Sequence, residues 1–457
     1  MIRCRSPHLV VLVALVCTLG CVIDNAAAAA PAASTKATIL APSPASYRAL
    51  AQQVNHSLIR DDLNKWFPAS VDRTRGGFHQ NYADDWKRNA GDERSIVYQS
   101  RLTWLAAQAA QRFPAQKTRY IEYSNHGTNF LRNRMWDKQF GGFYWELNGA
   151  GKAERNGEKH AYGNAFAIYA LCANYRATRD RRSLVLARRG FRWLERHSHD
   201  TQNGGYYEAL SRSGKPLLVP SQATPSDFIG TRYGFKSMNT HIHLLEAFSA
   251  LYQIAPSPLV RRRLQEVFDL VRDKINVPSV GAMNQFFTPD WRAVPDADSF
   301  GHDIETAYLL VEASEALGKR NDARTWSDAR RLVDHTLDFG FDTTRGGFYD
   351  AGSTFGAATK LDKVWWTQAE GLNALLLMHE RYGRQTPRYW NAFVKQWNFI
   401  RRYQIDATNG GWRQSISTEG NIIPNQIKSD KWTEGYHQGR ALLNVSAMLW
   451  RLARENR

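Results

Sequence analysis

The feature that most constrains the fold of this chain is a short phrase repeated at even spacing. An Asp followed four residues later by Gly-Gly and an aromatic residue occurs five times in the 457 residues. The first glycines of these pairs are Gly76, Gly141, Gly204, Gly346 and Gly410, separated in turn by 65, 63, 142 and 64 residues. Because the third interval is about twice the others, the spacing predicts a sixth, degenerate copy near residue 275.

A degenerate copy stands at that place. The chain reads NVPSVGAMNQFF, with Gly281 followed by Phe286 and Phe287. Each full phrase predicts a turn, because an Asp side chain bonds nearby backbone amides and paired glycines supply positive φ angles. Six units of roughly 65 residues indicate one large repetitive domain rather than several ordinary ones.

The stretches between the phrases have helical periodicity. Amphipathic, Arg-rich stretches such as RRSLVLARRGFRWLERH predict outer helices with one solvated face. Six other stretches are strongly apolar and predict inner helices. An open solenoid needs polar capping repeats, whereas the last repeat here is apolar, so we predict an all-α fold, a closed (α/α)6 barrel. The apolar stretches begin at Tyr98, His160, Ser237, Ser299, Val364 and Thr433.

The amino terminus predicts export. Arg3 and Arg5 precede the apolar run LVVLVALVCTLG and an Ala-rich stretch, a pattern typical of a signal peptide and too short for a membrane span. We therefore divide the chain into a signal peptide (1–30), a disordered linker (31–44) and an (α/α)6 domain (45–457), in a periplasmic or secreted protein that is soluble once processed. Cys21 is a candidate lipidation site. Cys172 is the only cysteine beyond the leader, which excludes an internal disulfide framework.

Composition limits the classes of partner that the chain is expected to bind. The net charge of +17 suggests nucleic acid, but the basic clusters are scattered and match no nucleic-acid module, so we assign them to solvated outer faces and predict no nucleic-acid partner. The 15 Trp residues are compatible with core packing or with platforms on which sugars stack. Composition leaves these two interpretations open.

In a closed ring the six inner helices run parallel, so their amino-terminal ends meet at one mouth. The polar and aromatic residues near these ends are then expected to converge there. They are Arg101, Tyr162, Asn239, His243, His302, Glu305, Trp365, Trp366, Glu370, Trp432 and His437.

Three histidines from separate helices are suited to proton transfer, because the pKa of imidazole lies near neutrality. His302 and Glu305 are three residues apart and share a helix face, so the carboxylate is expected to orient the imidazole. His241 and His243 are two apart, so only one of them can face the mouth; Asn239 lies on the face of His243. No HExxH or CxxC motif is present, and we predict no metal and no other cofactor.

Two alternatives remain open on the residues alone. A glycoside hydrolase needs two carboxylates across the scissile bond, and Glu305, Glu370, Glu434 and Asp303 are candidates. A sugar-binding protein without catalysis would need the Trp residues and Arg101 only.

The ordered motifs SRLTW, HAYGNAFAIYAL, MNTHIHLLEAF, GHDIETAYLL, VWWTQAEGL and KWTEGYHQGR resemble the N-acylglucosamine 2-epimerase superfamily, and within it the cellobiose 2-epimerase branch. The resemblance runs from about Asp61 to Arg451. It implies an (α/α)6 barrel that inverts C2 of an aldose through an enediolate, on a mono- or disaccharide such as cellobiose, mannose or an N-acylglucosamine. An aldose–ketose isomerase with the same site is the alternative.

The resemblance also implies roles for particular residues. His302 and His437 would be the acid–base pair at C2, with Glu305 as the partner of His302. His243, backed by Asn239, would assist ring opening or proton delivery. Arg101 would hold the carbonyl oxygen. Tyr162 would line the pocket, Trp365, Trp366 and Trp432 would form its aromatic walls, and Glu370 is assigned to substrate binding.

Three features depart from the family pattern. A signal peptide is unusual among its members, Gly435 stands where a Pro commonly precedes the Tyr-His pair, and residues 210–236 form a long insertion. Arg232 in that insertion is a candidate contact for an acidic or extended sugar. The expected assembly is a monomer or a homodimer, with no stable membrane insertion after the signal peptide is removed.

Overall fold

The computed structural model describes residues 40–220 and 224–455, and within these ranges the chain is mostly helical. Twelve long helices alternate between an outer and an inner ring. The outer helices are α1 (Pro44–Ser57), α3 (Lys117–Phe130), α5 (Arg181–His197), α7 (Pro258–Leu270), α9 (Ala323–Phe339) and α11 (Arg388–Phe399). The inner helices are α2 (Ile96–Arg112), α4 (Ala161–Thr178), α6 (Met238–Ile254), α8 (Phe300–Ala316), α10 (Trp365–Tyr382) and α12 (Tyr436–Glu455).

The ring is closed. The last inner helix, α12, packs against α10 on one side and against α2, the first inner helix, on the other, while α1 covers it from outside. Four outer helices (α1, α3, α7 and α11) end in a wider π-helical turn at residues 58–63, 131–135, 271–275 and 400–404. The predicted (α/α)6 barrel is confirmed, and the open solenoid is excluded.

Local sequence explains where the outer helices begin. Four outer helices follow an Asp or Ser whose side chain accepts a hydrogen bond from a backbone N–H of the first turn. These residues are Ser43 for α1, Asp180 for α5, Ser257 for α7 and Asp322 for α9. Such N-caps satisfy donors that a helix start otherwise leaves unpaired. The predicted Arg-rich faces are exposed, for example at Arg182.

Short strands lie between each outer helix and the next inner helix, and five of them end directly before the first residue of an inner helix. One pair, β1 with β16, joins the first and last repeats and so ties the two ends of the ring together. The strands are β1 (Tyr82–Ala83), β2 (Arg94–Ser95), β3 (Glu146–Leu147), β4 (Lys159–His160), β5 (Ala209–Leu210), β6 (Lys236–Ser237), β7 (Asn276–Val277), β8 (Ala282–Met283), β9 (Phe286–Phe287), β10 (Ala293–Val294), β11 (Asp298–Ser299), β12 (Ala351–Gly352), β13 (Ala358–Lys360), β14 (Lys363–Val364), β15 (Ser415–Ile416) and β16 (Ile427–Ser429). They pair antiparallel, in the sets β2–β3, β4–β5, β6–β9–β10, β7–β8, β11–β12–β13 and β14–β15.

Each full copy of the repeated phrase is a turn that follows an outer helix. In the first copy, Oδ1 of Asp72 accepts hydrogen bonds from the backbone N–H groups of Thr74 (2.9 Å) and Arg75 (3.0 Å). The other four copies repeat this pair of bonds. Both glycines of every pair have φ between 71° and 89°, a region that strongly favours glycine. The predicted turn is confirmed.

A buried cation completes each of these five turns, and the sequence analysis did not identify it. The second carboxylate oxygen of the Asp accepts a hydrogen bond from a Lys or Arg in the short strand that leads into the next inner helix, at 2.5–3.0 Å. The ion pair therefore fastens the turn to the start of the helix. The pairs are Asp72–Arg94, Asp137–Lys159, Asp200–Lys236, Asp342–Lys363 and Asp406–Lys428.

The predicted sixth copy is the β7–β8 hairpin. Gly281 has φ of 82°, and its N–H bonds to the carbonyl of Val277 at 2.9 Å, which is the bond that closes the other turns. Val277 replaces the Asp of the phrase. Asp298 replaces the cation and bonds to His335 of α9 at 2.8 Å. The Asp and the cation of the pair are therefore both absent at this turn, and the buried carboxyl group of Asp298 has His335 as its partner.

The predicted signal peptide and residues 31–39 of the predicted linker lie outside the described residues. The described chain begins at Leu40, and α1 begins at Pro44, one residue before the predicted domain start. Cys172 is buried and free. Within the described ranges, no helix combines the length and the apolar character that a membrane span requires.

Candidate active site

A cavity of about 240 Å³ opens at the amino-terminal ends of the inner helices. Ten of the eleven predicted site residues line it, together with Ile229. The predicted convergence of these ten residues at one mouth is confirmed, because each lies in the first turns of an inner helix, or in the loop before one, and the ring brings those turns together. The ten residues are Arg101, Tyr162, Asn239, His243, His302, Glu305, Trp365, Trp366, Trp432 and His437.

Glu370 is the exception: it was expected at the mouth, but it does not line the cavity. It is fully buried behind His437, and its Oε1 lies 2.5 Å from the Nδ1 of that imidazole. Its Oε2 accepts a hydrogen bond from the hydroxyl of Tyr308 at 2.8 Å. Glu370 lies one helical turn deeper on α10 than Trp366, which explains why it orients His437 instead of lining the cavity.

His243 is held in a similar way. Its Nδ1 lies 3.2 Å from Oε2 of Glu246, one turn further along α6, and Asn239 lines the cavity beside it as predicted. His241 points away from the mouth: its Nδ1 bonds to the carbonyl of Ser237 at 2.7 Å. The prediction that only one of these two histidines faces the cavity is therefore confirmed.

These contacts fix the tautomers of His437 and His243. A carboxylate only accepts hydrogen bonds, so Nδ1 of each imidazole carries the proton that the glutamate receives. When such a ring is neutral, its Nε2 is left with a lone pair. Both rings line the cavity and are prepared to accept a proton there.

His302 has a different partner from the one predicted. Its Nδ1 lies 2.6 Å from Oγ of Ser299, the residue before α8, while Glu305 bonds to Arg440. The ring of His302 packs against Trp366, with centroids 4.7 Å apart, and Trp366 also lies 5.6 Å from the ring of His437. One indole therefore supports both proposed acid–base groups.

The two imidazoles are neutral at physiological pH. Burial lowers the pKa of His302 to about 4. Burial, and then the positive charge of Arg101, lowers the pKa of His437 well below its usual value. Desolvation favours the neutral form of a histidine, which is the form that can act as a base.

Arg101 is a buried cation at the wall of the cavity. It donates to Oε1 of Glu434 at 2.9 Å and to the hydroxyl of Tyr162 at 3.1 Å, and its guanidinium stacks on Phe166 at 4.4 Å from the ring centroid. The opposite charges around it raise its pKa although burial opposes this. Glu434 also accepts the backbone N–H of Tyr436 at the start of α12. Both of its oxygens are engaged, which disfavours Glu434 as a hydrolytic acid.

Among the described residues of the insertion at 210–236, Ile229 is the one that reaches the site. Ile229 lines the cavity, and its backbone N–H donates to Oδ1 of Asp227 at 3.0 Å. Oδ2 of Asp227 in turn bonds to His160 at 2.9 Å, which anchors the loop to the start of α4. Arg232, the candidate sugar contact, is exposed and does not line the cavity.

The structure explains the departure at Gly435. A Cβ atom at this position would lie 2.5 Å from Cδ1 of Trp66, closer than any real contact. The indole of Trp66 therefore occupies the space that a proline ring would need. Gly at this position, where Pro is common, therefore leaves room for Trp66, which lies in the short helix Asn64–Trp66 that continues α1.

One functional residue escaped the sequence analysis. Glu305, Glu370 and His437 lie close enough together to resemble a metal-ligand set. The guanidinium of Arg440, however, donates to Glu305 at 2.5 Å and to Glu370 at 2.8 Å, and so supplies the positive charge of this cluster itself. Arg440 follows His437 by three residues in KWTEGYHQGR, so helical spacing on α12 was the signal that could have identified it.

Comparison with known proteins decides the family. The sequence profile of the N-acylglucosamine 2-epimerase (GlcNAc 2-epimerase) family matches residues 76–441. The chain belongs to this family.

Relatives with established names agree with this membership. Cellobiose 2-epimerase from Bacteroides fragilis is 28% identical over 396 residues, covering 87% of this chain and 98% of the relative. D-mannose isomerase from Marinomonas mediterranea is 25% identical over 398 residues, covering 83% of this chain and 93% of the relative. The structure of cellobiose 2-epimerase from Spirochaeta thermophila superimposes with a TM-score of 0.78 at 28% identity, covering 89% of this chain and 98% of that one. The predicted enzyme class, a carbohydrate epimerase or isomerase, is confirmed.

Proposed function

We propose that this family member epimerises an aldose at C2 by passing a proton between His302 and His437. The observation that carries the proposal is the set of three imidazoles from α6, α8 and α12 on one cavity, two of them held as Nε2 bases by buried glutamates. The names of the cellobiose 2-epimerase relatives support the same reaction.

The reaction begins with ring opening, because the proton at C2 becomes acidic only when C1 is an aldehyde. In our proposal His243 assists by moving a proton between the ring oxygen and the C1 hydroxyl. One imidazole of the His302–His437 pair then removes the C2 proton, and the electron pair of that C–H bond forms an enediolate with its charge on O1. That proton then passes from the first imidazolium through the enediolate oxygens to the other imidazole, which delivers it to the opposite face of C2 and becomes neutral again, and the sugar ring closes.

Arg101 has the charge that this intermediate needs. A fixed guanidinium beside the cavity stabilises negative charge that develops on O1, and it needs no reorganisation when the charge appears. The low pKa of His302 and His437 keeps both neutral at rest, so substrate binding finds a base on each side. This scheme involves only groups of the chain itself and the sugar.

Aromatic side chains suggest how the sugar is held. Trp365, Trp366 and Trp432 line the cavity, and apolar sugar faces stack on such rings. Ile229 lies among the lining residues on the loop 210–236, so we propose that this loop affects which substituents the sugar can carry beyond its reducing end.

Aldose–ketose isomerisation is the second candidate, favoured by the D-mannose isomerase relative. The same enediolate gives a ketose when the proton returns to C1 instead of C2. The two reactions differ only in which carbon the second imidazole reaches.

Proton NMR in D₂O tests both. The purified enzyme is incubated with glucose, mannose, N-acetylglucosamine or cellobiose. Epimerisation should remove the C2 proton signal and give new anomeric peaks from the C2 epimer, whereas isomerisation should give ketose signals. The variant His437→Asn should lose activity by about 10²–10⁴-fold, the usual contribution of a general acid or base. An enzyme that exchanges no C2 proton on any of these sugars but releases reducing ends from oligosaccharides would contradict the proposal and favour the hydrolase alternative.

A further inference from the structure

Arg440 links three buried carboxylates beneath the cavity. It lies on α12, is 2% exposed, and donates through Nη1 to Glu246 at 2.6 Å. Through Nη2 it donates to Glu305 at 2.5 Å and to Glu370 at 2.8 Å. The three glutamates come from α6, α8 and α10, so one guanidinium joins four of the six inner helices.

Each of these glutamates acts on the cavity above. Glu370 receives the Nδ1 proton of His437, and Glu246 receives that of His243. Glu305 lines the cavity itself. Arg440 is therefore separated from the imidazole of His437, and from that of His243, by only one carboxylate.

The cluster requires this cation on electrostatic grounds. Three carboxylates that are at most 5% exposed repel one another, and burial favours their protonated forms. Although burial opposes it, the charge of Arg440 lowers the pKa of Glu246 to about 2. A protonated Glu370 could donate to Nδ1 of His437, which would move the imidazole proton to Nε2 and abolish its function as a base.

A second cavity, of about 580 Å³, lies on the far side of Arg440. Most of its lining comes from the middle and the carboxyl-terminal halves of inner helices, so it lies toward the end of the barrel opposite the candidate active site. Gln108, Tyr169, Gln253, Glu312 and Asn444 line it together with Arg440. A small solute can therefore reach the position of the guanidinium without passing through the sugar cavity.

We infer that Arg440 is a positioning residue for the proposed reaction: its hydrogen bonds hold Glu246, Glu305 and Glu370 in place, so that His243 and His437 present a basic Nε2 to the sugar. This inference rests on the proposed function. It concerns a group that does not contact the reacting atoms and lies behind the residues that do.

Chemical rescue is the direct test. In Arg440→Ala, kcat should fall by about 10²-fold or more, the scale of a lost acid–base group, while KM changes little because the sugar contacts remain. Non-denaturing guanidinium should enter through the second cavity and restore part of kcat. Arg112→Ala is the matched control, since Arg112 lines the same cavity and donates to Ser446, away from the histidines. It should keep wild-type kcat and show no response to guanidinium.

If the Ala variant does not fold, Arg440→Lys is the variant that tests the inference. An ammonium cannot bond three glutamates with the geometry of a guanidinium. The carboxylates and the imidazoles should then take up protons more readily. The groups that face Arg440 are Glu246, Glu305, Glu370 and Tyr308 on neighbouring helices, Tyr436 on α12 itself, and Glu312 in the second cavity. The acid limb of kcat/KM should move to higher pH, whereas wild-type kcat with an unchanged pH profile would overturn the inference.

A readout without turnover separates this inference from the proposed function. Nitrogen NMR of the histidine side chains should show His437 and His243 as Nδ1–H tautomers in the wild type and a changed tautomer balance in Arg440→Lys. If the wild type exchanges no C2 proton but the tautomers respond, the proposed reaction fails and the role of Arg440 stands. If the wild type is active and neither tautomers nor kcat respond, only the role of Arg440 fails.

Discussion

Acid should destabilise the folded protein through His302, and replacing this residue should remove that sensitivity. Burial lowers the pKa of His302 to about 4, from an ordinary value of 6.5. A histidine with a lowered pKa favours the native state only while it is neutral. Its contribution is therefore fully present above about pH 6.5, and it is lost as the pH falls toward 4, because the unfolded chain binds the proton first.

The size of the loss follows from the shift. One pKa unit corresponds to about 1.4 kcal/mol, so the shift of His302 removes about 2 kcal/mol of unfolding free energy between pH 7.5 and pH 5. The loss approaches about 3 kcal/mol near pH 4. This is a large fraction of the net stability of an ordinary domain.

Urea denaturation at pH 7.5 and pH 5 measures this loss. We compare the wild type with His302→Gln, which retains a neutral polar side chain. Any effect of the substitution that does not depend on pH cancels, because only the difference between the two pH values is compared. His56→Gln, on the exposed face of α1, is the control and should lose as much stability as the wild type. If His302→Gln also loses as much as the wild type, the reasoning about the buried neutral imidazole is refuted.

Two further predictions concern the repeated turn. Lys363→Met should lower the free energy of unfolding by about 3–5 kcal/mol, since it leaves the carboxylate of Asp342 buried without its cation. Adding Asp342→Asn should recover part of this loss in the same urea titration; a Lys363→Met variant as stable as the wild type would contradict the prediction. Gly142→Ala should cost more than Gly318→Ala, because both glycines have positive φ but only the former would place Cβ 2.6 Å from Trp193. Equal thermal midpoints for these two variants would show that the contact with the indole does not matter.

Much of the fold was predictable because its determinants are local and repeated. The spacing of the Asp and Gly-Gly phrases gave the number of units, and even the degenerate copy at Gly281 was expected from its position alone. The cations of the turns were missed for the opposite reason. Lys159, for example, lies 22 residues from Asp137 in the chain, and neither residue alone indicates that they meet.

The candidate site likewise contains residues whose place was predicted from the sequence and residues whose place was not. Residues in the first turn of an inner helix, such as His302 and Trp366, were correctly placed at the mouth, because parallel helices in a closed ring bring these turns together. Glu370 was assigned to the wrong surface, since depth along a helix axis decides whether a side chain lines the cavity. The predicted pairing of Glu305 with His302 was also wrong. Glu305 bonds to Arg440 on another helix instead of to the histidine on its own helix.

The sequence by itself determined the period, the inner and outer helices, and the set of side chains at the mouth, because helix periodicity and turn chemistry are properties of short segments. Only the tertiary structure decided which charges meet. The bonds of Arg440 to Glu246, Glu305 and Glu370 join residues 70 to 194 positions apart in the chain. Their geometry depends on how four helices pack, and packing depends on the whole ring at once.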